Sequence, residues 1–492
     1  MKKRGTCICT GGCFTTSLVF LALAITIFVL IQVGFFKETL DNYIREQTTL
    51  EPGHETYKQW VNPTIPMYKD FFIFNLTNPK EFADGAKPKF DELGPYRYRE
   101  IRQKTILNEA NGTITYLMNR SFHFEHSSEN NYTENDIITT INFAFVTAVY
   151  NAQSFLKKTA LQALIETVRP KPELLIKTSV HELLWDYTDP LLKRLHWARQ
   201  IDTPHIYLQL NNSYSDRALP SMVHSGTVDS KETAQFIEWA GLKQLPYWKN
   251  EANFINASTS GIIWHSLMEK DEKLEAFISD VNRTFHIHYQ EEVSVEGIDA
   301  YRFRVEDSDF RPDSNYHTDN STPVGLIFLG VLQKPVAPVF GSKPHFLDCD
   351  PSLYNAVEGV SPPDRNRHDV VVDIEPITGA SINVHLRLQI NVNVTKTSFP
   401  FFPSFRHVTP VIFPMFYLDE HATIDDGLKS KLNEMVFVPL TAVNSSIWVV
   451  FGLCCFISLL TGLCTLRWCI KLYRLRDRQH PERIRLLDKT DS

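Results

Sequence analysis

Two uncharged apolar runs, one near each end of the chain, limit what it can fold into more than any other feature. The first, Phe14 to Phe36, is twenty-three residues long, and the second, Ile447 to Leu466, is twenty. As a helix the first covers about 35 Å, enough to cross a hydrocarbon core of about 30 Å with some tilt. A cleaved signal peptide is the alternative, but its apolar core spans only about 7–15 residues before a small-residue site. Gln32, Val33, Gly34 and Phe35 offer no such site, so an uncleaved anchor is expected. Lys2, Lys3 and Arg4 precede the first run, and Arg467, Lys471, Arg474, Arg476 and Arg478 follow the second. Basic flanks stay cytosolic, which predicts both termini in the cytosol. The chain then divides into a cytosolic segment 1–13, a transmembrane helix 14–36, a lumenal or extracellular body 37–446, a transmembrane helix 447–466 and a cytosolic tail 467–492.

Charge follows the same division. Segment 1–13 carries +3 and the tail +4, which leaves −14 of the overall −7 on the body. An acidic body excludes nucleic acid as a partner, because a phosphate backbone demands a basic surface. The glycosylation motif N-x-S/T occurs at Asn75, Asn111, Asn119, Asn131, Asn211, Asn256, Asn282, Asn320, Asn393 and Asn444, all between the two runs. Asn444 is too close to the second run to be modified, and the other nine predict exposed, glycan-bearing positions. Seven of the eight cysteines lie in or beside the runs. Of these, Cys7, Cys9, Cys13, Cys464 and Cys469 flank the membrane on the cytosolic side and are candidates for palmitoylation. Cys349 alone lies in the body, so the body must be held by its core and not by an intrachain disulfide.

Along the chain, residues 37–50 extend the first run as a short helix. Tyr96 and Tyr98 alternate with Arg97 and Arg99, and Phe122 and Phe124 with His123 and Glu125, as on half-buried strands. Asn151 to Arg169 predicts a helix with Ala152, Phe155, Leu156, Ala160, Leu164 and Val168 on its packed stripe, ended by Pro170. Asp189 and Pro190 cap a second helix to Gln200. Strands dominate the second half. Tyr301, Phe303 and Val305 mark one, and residues 382–395 the clearest, with Ile382, Val384, Leu386, Leu388, Ile390, Val392 and Val394 on one face and polar residues on the other.

Several stretches carry a resemblance to a known family: FNLTNPKEFADGAKPKFDELGPYRYRE from Phe74, HELLWDYTDPLL at 181–192, NFINAS at 253–258, PHFLDCDPSLYNAVEG at 344–359, VDIEPITG at 372–379 and VIFPMFYLDEHATID at 411–425. In this order they resemble the class B scavenger receptors, nearest to the lysosomal branch. The resemblance implies an α+β fold: a large antiparallel β-barrel-like lumenal domain, an apical helical bundle and an internal apolar tunnel, anchored by two transmembrane helices. It further implies that the bundle binds protein ligands, a lysosomal hydrolase such as β-glucocerebrosidase in the lysosomal branch. On the helix 151–169, Lys157, Lys158 and Gln162 are the expected contacts. Lipid (cholesterol, phospholipid or fatty acid) is the expected cargo of the tunnel, and a homo-oligomer is a further expectation. The chain departs from the family in lacking its lumenal disulfides, Cys349 being alone.

No catalytic motif stands out: G-x-S-x-G, H-E-x-x-H, a P-loop and C-x-x-C are all missing. No enzyme activity and no cofactor or metal is expected. His286 and His288 share one strand face, but two imidazoles make a weak metal site. Sixteen of the seventeen histidines lie in the body, where a lumen near pH 5 is expected to protonate them. Phe399, Phe401, Phe402 and Phe405, in FPFFPSF, are candidates for contact with the membrane interface if exposed. On the tail, Glu482 followed by Leu486 and Leu487 resembles an acidic dileucine signal, which clathrin adaptors bind as an extended peptide. Together these readings predict a lysosomal or late-endosomal membrane receptor that binds a lumenal protein and conducts lipid. The alternative is a plasma-membrane receptor for lipoprotein or fatty acid.

Overall fold

The computed structural model describes the backbone of residues 2–126, 131–206, 219–255, 257–397, 399 and 402–487. The side chains of 2–11, 435 and 475–487 lie outside the described part. The chain forms two compact units, one of Met1–Ile44 with Lys429–Ser492 and one of Arg45–Leu428.

In the first unit, a helix runs Lys2–Gln32 and another Phe35–Gln47. Gly34, with φ +76°, turns the chain between them, so Val33 to Phe36 do not continue the first helix as the apolar run predicts. At the other end, a π-turn at Asn433–Phe437 leads into the continuous helix Val438–Leu487. Two stretches, Gly12–Gln32 and Val438–Arg474, are long and apolar enough to cross a membrane. They pack together. Ser17 Oγ donates to the Ser458 carbonyl at 2.9 Å, and Ser458 Oγ donates to the Ser17 carbonyl at 3.1 Å. In hydrocarbon such reciprocal bonds satisfy hydroxyls that lipid cannot.

The second unit is built on fifteen strands among the described residues: β1 Met67–Leu76, β2 Phe90–Ala110, β3 Thr113–Phe124, β4 Ile137–Ile141, β5 Leu175–Ser179, β6 Ser221–His224, β7 Phe236–Glu238, β8 Leu274–Ile278, β9 Arg283–Val295, β10 Ile298–Val305, β11 Ile327–Phe328, β12 Val339–Ser342, β13 Val371–Glu375, β14 Ala380–Val394 and β15 Val411–Thr423. Thirteen of them form one antiparallel sheet, in the order β7-β6-β3-β2-β1-β15-β14-β13-β10-β9-β8. Beyond β14 the sheet forks, with β13 on its first half and β12, followed by β11, on its second. The long β2–β3 hairpin turns through Asn111 and Gly112, both at positive φ, as a two-residue turn matched to strand twist requires. The sheet does not close strand to strand. Its two ends are bridged by Ser258 and Thr259: Phe236 N donates to the Ser258 carbonyl, Thr259 N to that of Glu275, and Phe277 N to that of Thr259.

β4 and β5 pair separately and carry four short helices, Phe143–Asn151, Phe155–Ile165, Val180–Trp185 and Pro190–Trp197. Each has its cap: Asn142, Ser154, Ser179 in a capping box with Glu182, and Asp189, whose carboxylate accepts from Leu192 N. The predicted helix 151–169 is therefore shorter, Phe155–Ile165, because the preceding helix ends at Asn151 and Ser154 caps a new start. Its packed face differs in part. Ala152 and Val168 are buried as expected, but within the helix Leu161 and Ile165 are buried, whereas Phe155 and Leu156 are 70% and 79% exposed.

β14 corrects a second expectation. Part of its polar side is not solvated: Gln389 and Asn391 are fully buried, beside the paired β12 and against the turn Pro344–Phe346. Gln389 Nε2 donates to Asn391 Oδ1, Asn391 Nδ2 to Ser342 Oγ, and His345 N to Gln389 Oε1, so the buried amides are satisfied. The alternation predicted for residues 382–395 is present, but the polar face is buried at these two positions and half-buried at Asn383, His385, Arg387 and Asn393.

Candidate functional site

Parity along the strands defines the interior of the sheet. Leu386, Leu388 and Ile390 of β14 lie opposite Glu420, Leu418 and Phe416 of β15, so these side chains share one face. Leu418 and Phe416 are buried, yet Val384, Leu386, Leu388 and Ile390 are only half-buried. An apolar inner face that keeps this accessibility in its middle, while Ile382, Val392 and Val394 at its ends are buried, is not a solid core along its whole length.

The inner face is not apolar throughout. On β3, Phe122 and Phe124 are followed inward by Arg120, then by Met118, Tyr116 and Ile114. On β2, Tyr96 and Tyr98 give way to Glu100, Arg102 and Lys104, and on β15 Leu418 gives way to Glu420. Four of these charges, Glu100, Arg102, Arg120 and Glu420, close into a ring with Lys69 of β1 and Asp280. Lys69 Nζ lies 2.7 Å from Asp280 Oδ2 and 2.9 Å from Glu420 Oε2. Arg120 bonds Asp280 at 2.9 Å and Glu100 at 2.8 Å. Arg102 bonds Glu100 at 2.6 Å and also reaches Glu420. Each cation thus holds two acids and each acid two cations, and the ring is neutral as a whole. Arg102 and Arg120 stand directly opposite in register, a repulsive placement that the shared Glu100 offsets.

Burial and partners oppose one another in the ring. Burial favours uncharged Lys69, but Asp280 and Glu420 outweigh it and raise its pKa. Burial likewise favours protonated acids, but Arg120 and Lys69 hold Asp280 well below the usual carboxylate range. Against the same burial, Arg102 and Lys69 bring Glu420 down to about 2. One layer away, Lys104 is also buried but has no acid partner among the described residues. Its Nζ donates to the Trp60 carbonyl and lies 4.4 Å from the Trp60 ring and 5.7 Å from that of Tyr116. Burial, aided by the charge of Arg102, pushes its pKa down to about 7.

The predicted residues fall as follows. Lys157 is exposed, but Lys158 is half-buried, with its ammonium 5.4 Å from the Phe399 ring. Gln162 is half-buried and donates to Glu166, so neither it nor Lys158 is the open contact expected. The exposed pair on that helix is Phe155 and Leu156, and Phe155 meets Phe399 edge-on at 5.8 Å. Phe402 and Phe405 are buried against Phe145 and unavailable to a membrane; Phe399 is half-buried, and Phe401 lies outside the described residues. Asn111, Asn119, Asn131 and Asn320 are exposed, whereas Asn75, Asn282 and Asn393 are only half-buried, contrary to expectation. Asn75 in β1 accepts from Thr139 N, which uses its carboxamide structurally. Asn211 and Asn256 lie outside the described residues.

Cys464 and Cys469 are exposed and Cys13 half-buried; the side chains of Cys7 and Cys9 are outside the described part. So are those of Glu482, Leu486 and Leu487, whose backbone continues the helix to Leu487 and is not extended. His286 Nδ1 bonds Asp309 at 3.0 Å, which raises its pKa despite partial burial, and no metal-ligand cluster occurs among the described residues. His368, stacked on His345 at 3.9 Å, is pushed down to about 4 by burial and by that neighbour. It therefore stays neutral at pH 5, contrary to the expectation of general histidine protonation.

Nothing in the sequence reading named the charged ring, although a signal was present. The alternation noted at Tyr96–Tyr98 and Phe122–Phe124, carried two residues further, places Glu100 and Arg120 on the buried side.

The comparison with known proteins agrees with this architecture. The model of the CD36 family matches residues 18–465. Lysosome membrane protein 2 of Mus musculus is 31% identical over 461 residues, covering 91% of this chain and 94% of that protein. The same protein of Homo sapiens is 30% identical over 460 residues, with 91% and 94% covered. Scavenger receptor class B member 1 of Mus musculus is 27% identical over 468 residues, with 93% and 89% covered. The scavenger-receptor resemblance of the sequence motifs is borne out, and the chain belongs to the CD36 family.

Proposed function

We propose that the chain is a membrane receptor of lysosomes or late endosomes that binds a lumenal protein and passes cholesterol or another lipid along the inner face of its sheet. Residues 37–446 form the lumenal body in this reading, and both termini are cytosolic. No bond is made or broken. The driving force is the transfer of apolar surface, worth about 25 cal/mol per Å². The observation that carries the lipid reading is the half-buried apolar inner face Val384, Leu386, Leu388 and Ile390. The bridging of β7 and β8 through Ser258 and Thr259 supports a barrel-like enclosure of that face. The full chain in detergent micelles is expected to bind a radiolabelled sterol saturably, and Leu388→Arg to abolish it. Uptake that only follows micelle volume would refute the lipid reading.

The adjacent exposed side chains Phe155 and Leu156 support protein docking, because two large apolar groups side by side on a helix start mark a contact surface. The ligand we favour is a lysosomal hydrolase of the β-glucocerebrosidase kind. The similarity to scavenger receptor class B member 1 favours a second reading, a plasma-membrane receptor for lipoprotein or fatty acid. Surface biotinylation separates the two. On the lysosomal reading, Leu486→Ala with Leu487→Ala raises the surface pool, through loss of a clathrin adaptor. An unchanged pool would favour the cell surface.

A further inference from the structure

The buried apolar residues of the second unit form two separate clusters. The larger one holds Phe71, Tyr98, Phe122 and Leu418, and the smaller one Trp60, Ile114, Tyr116 and Trp239. The six-charge ring lies between them on the same strands. On β3, Arg120 separates Phe122 of one cluster from Tyr116 of the other. On β2 and β15, Glu100 and Glu420 continue the layer after Tyr98 and Leu418. The space touching the ring is a cavity of about 50 Å³, with Arg102, Arg120, Asp280 and Glu420 on one wall and Trp239 and Phe277 on another. That holds a water molecule or two, at about 30 Å³ each, and cannot admit the fused rings of a sterol.

We propose that this ring is the gate of a lipid path along the inner face: it interrupts the apolar surface between the two clusters, and lipid crosses only when ion pairs of the ring part. The inference rests on the lipid reading above. An apolar molecule that displaced the ring would strand six buried charges without partners, which is prohibitive. A closed alternating ring has a cheaper way to open. If Asp280 withdraws, Lys69 still holds Glu420 and Arg120 still holds Glu100, so no remaining charge is wholly without a partner and the layer is left with one net positive charge, not six stranded ones. Asp280 is also the one member carried by a turn, between β8 and β9, while the other five sit on paired strands. Its turn is therefore the moving part.

The test measures transfer of a fluorescent sterol from donor micelles into phosphatidylcholine vesicles that hold the full chain. Two variants each remove one cation with one acid and so keep the interior neutral: Lys69→Met with Asp280→Met, and Arg102→Met with Glu420→Met. Transfer by the unaltered chain is expected to be slow but above that of protein-free vesicles. Each variant is expected to be faster by about tenfold, the effect of removing one modest barrier. Either variant, if it folds, suffices. Variants no faster than an active unaltered chain would overturn the gate and leave the lipid reading standing. Transfer no faster than in protein-free vesicles for the chain and both variants would overturn the lipid reading, and the gate with it.

Discussion

Lys69 and Lys104 are buried equally on the inner face of one sheet, a layer apart, and meet opposite fates. Lys69 bonds two carboxylates of a neutral ring, and its pKa is raised. Lys104 has two aromatic rings and one carbonyl, and burial brings it down to about 7. The pair separates two effects that are often merged. Burial by itself removes a charge, and only a matched counter-charge restores it. Counter-charges thus favour the ionised forms of Lys69, Asp280 and Glu420, while Lys104, brought down to about 7, titrates near neutrality.

The sharpest way to break this contrast is to remove a single member of the ring. Asp280→Asn leaves Lys69 and Arg120 short of a carboxylate in a buried layer. It is expected to destabilise the full chain by about 3–5 kcal/mol, read as a lowered unfolding midpoint in detergent. The reverse is expected at the other lysine. Lys104→Met removes a buried ammonium without stranding a charged partner, at the loss of one hydrogen bond to the Trp60 carbonyl, and should stabilise by about 1–3 kcal/mol at pH 5. The gain depends on pH in a defined direction. The unfolded lysine titrates near 10.4 and the folded one at about 7, so between them only the unfolded chain is charged. Wild-type stability therefore rises with pH across that window. The advantage of Lys104→Met is full below pH 7 and shrinks towards pH 10, and a constant advantage would show that Lys104 does not titrate as described.

The smallest effects come from changes that keep the ring's balance. Arg102→Met with Glu420→Met removes opposite charges together and is expected to shift stability by about 1 kcal/mol or less. Its difference from wild type should be flat between pH 6 and 5, below the range where Lys104, relieved of the Arg102 charge, titrates differently in the variant. Glu420 has a depressed folded pKa, so its contribution is complete above the unfolded value near 4.5 and is lost only as pH falls from there towards 2. A difference that changes between pH 6 and 5 would mean that the ring senses acid. On the outside of the molecule, Phe155→Ser with Leu156→Ser should change stability by less than about 0.5 kcal/mol. Loss of hydrolase binding in a pull-down, at that unchanged stability, would mark the pair as a docking surface.

Local signals in the sequence located much of the fold. The alternation at residues 382–395, the Asp189-Pro190 helix start and the two apolar runs all translate directly into elements, because each depends on near neighbours. What stayed hidden depends on distant partners. Arg120 reads as an ordinary polar residue until Glu100 and Asp280 are brought to it. Gln389 and Asn391 read as solvated until β12 and the turn Pro344–Phe346 are brought against them. The helix 155–165 shows the limit of periodicity itself. Its sequence allows apolar stripes on adjoining faces, and packing chose Leu161 and Ile165, leaving Phe155 and Leu156 outside. Phe402 and Phe405, in contrast, became core because Phe145 lies against them.

The central claim is that the inner face of β14 is an apolar wall open to lipid. Irradiating the full chain with a photoreactive sterol and locating the adduct by mass spectrometry tests it most directly. The account predicts labelling of the segment from Leu386 to Ile390, competed away by unlabelled sterol. Label confined to Gly12–Gln32 and Val438–Arg474, with none on β14, would contradict it.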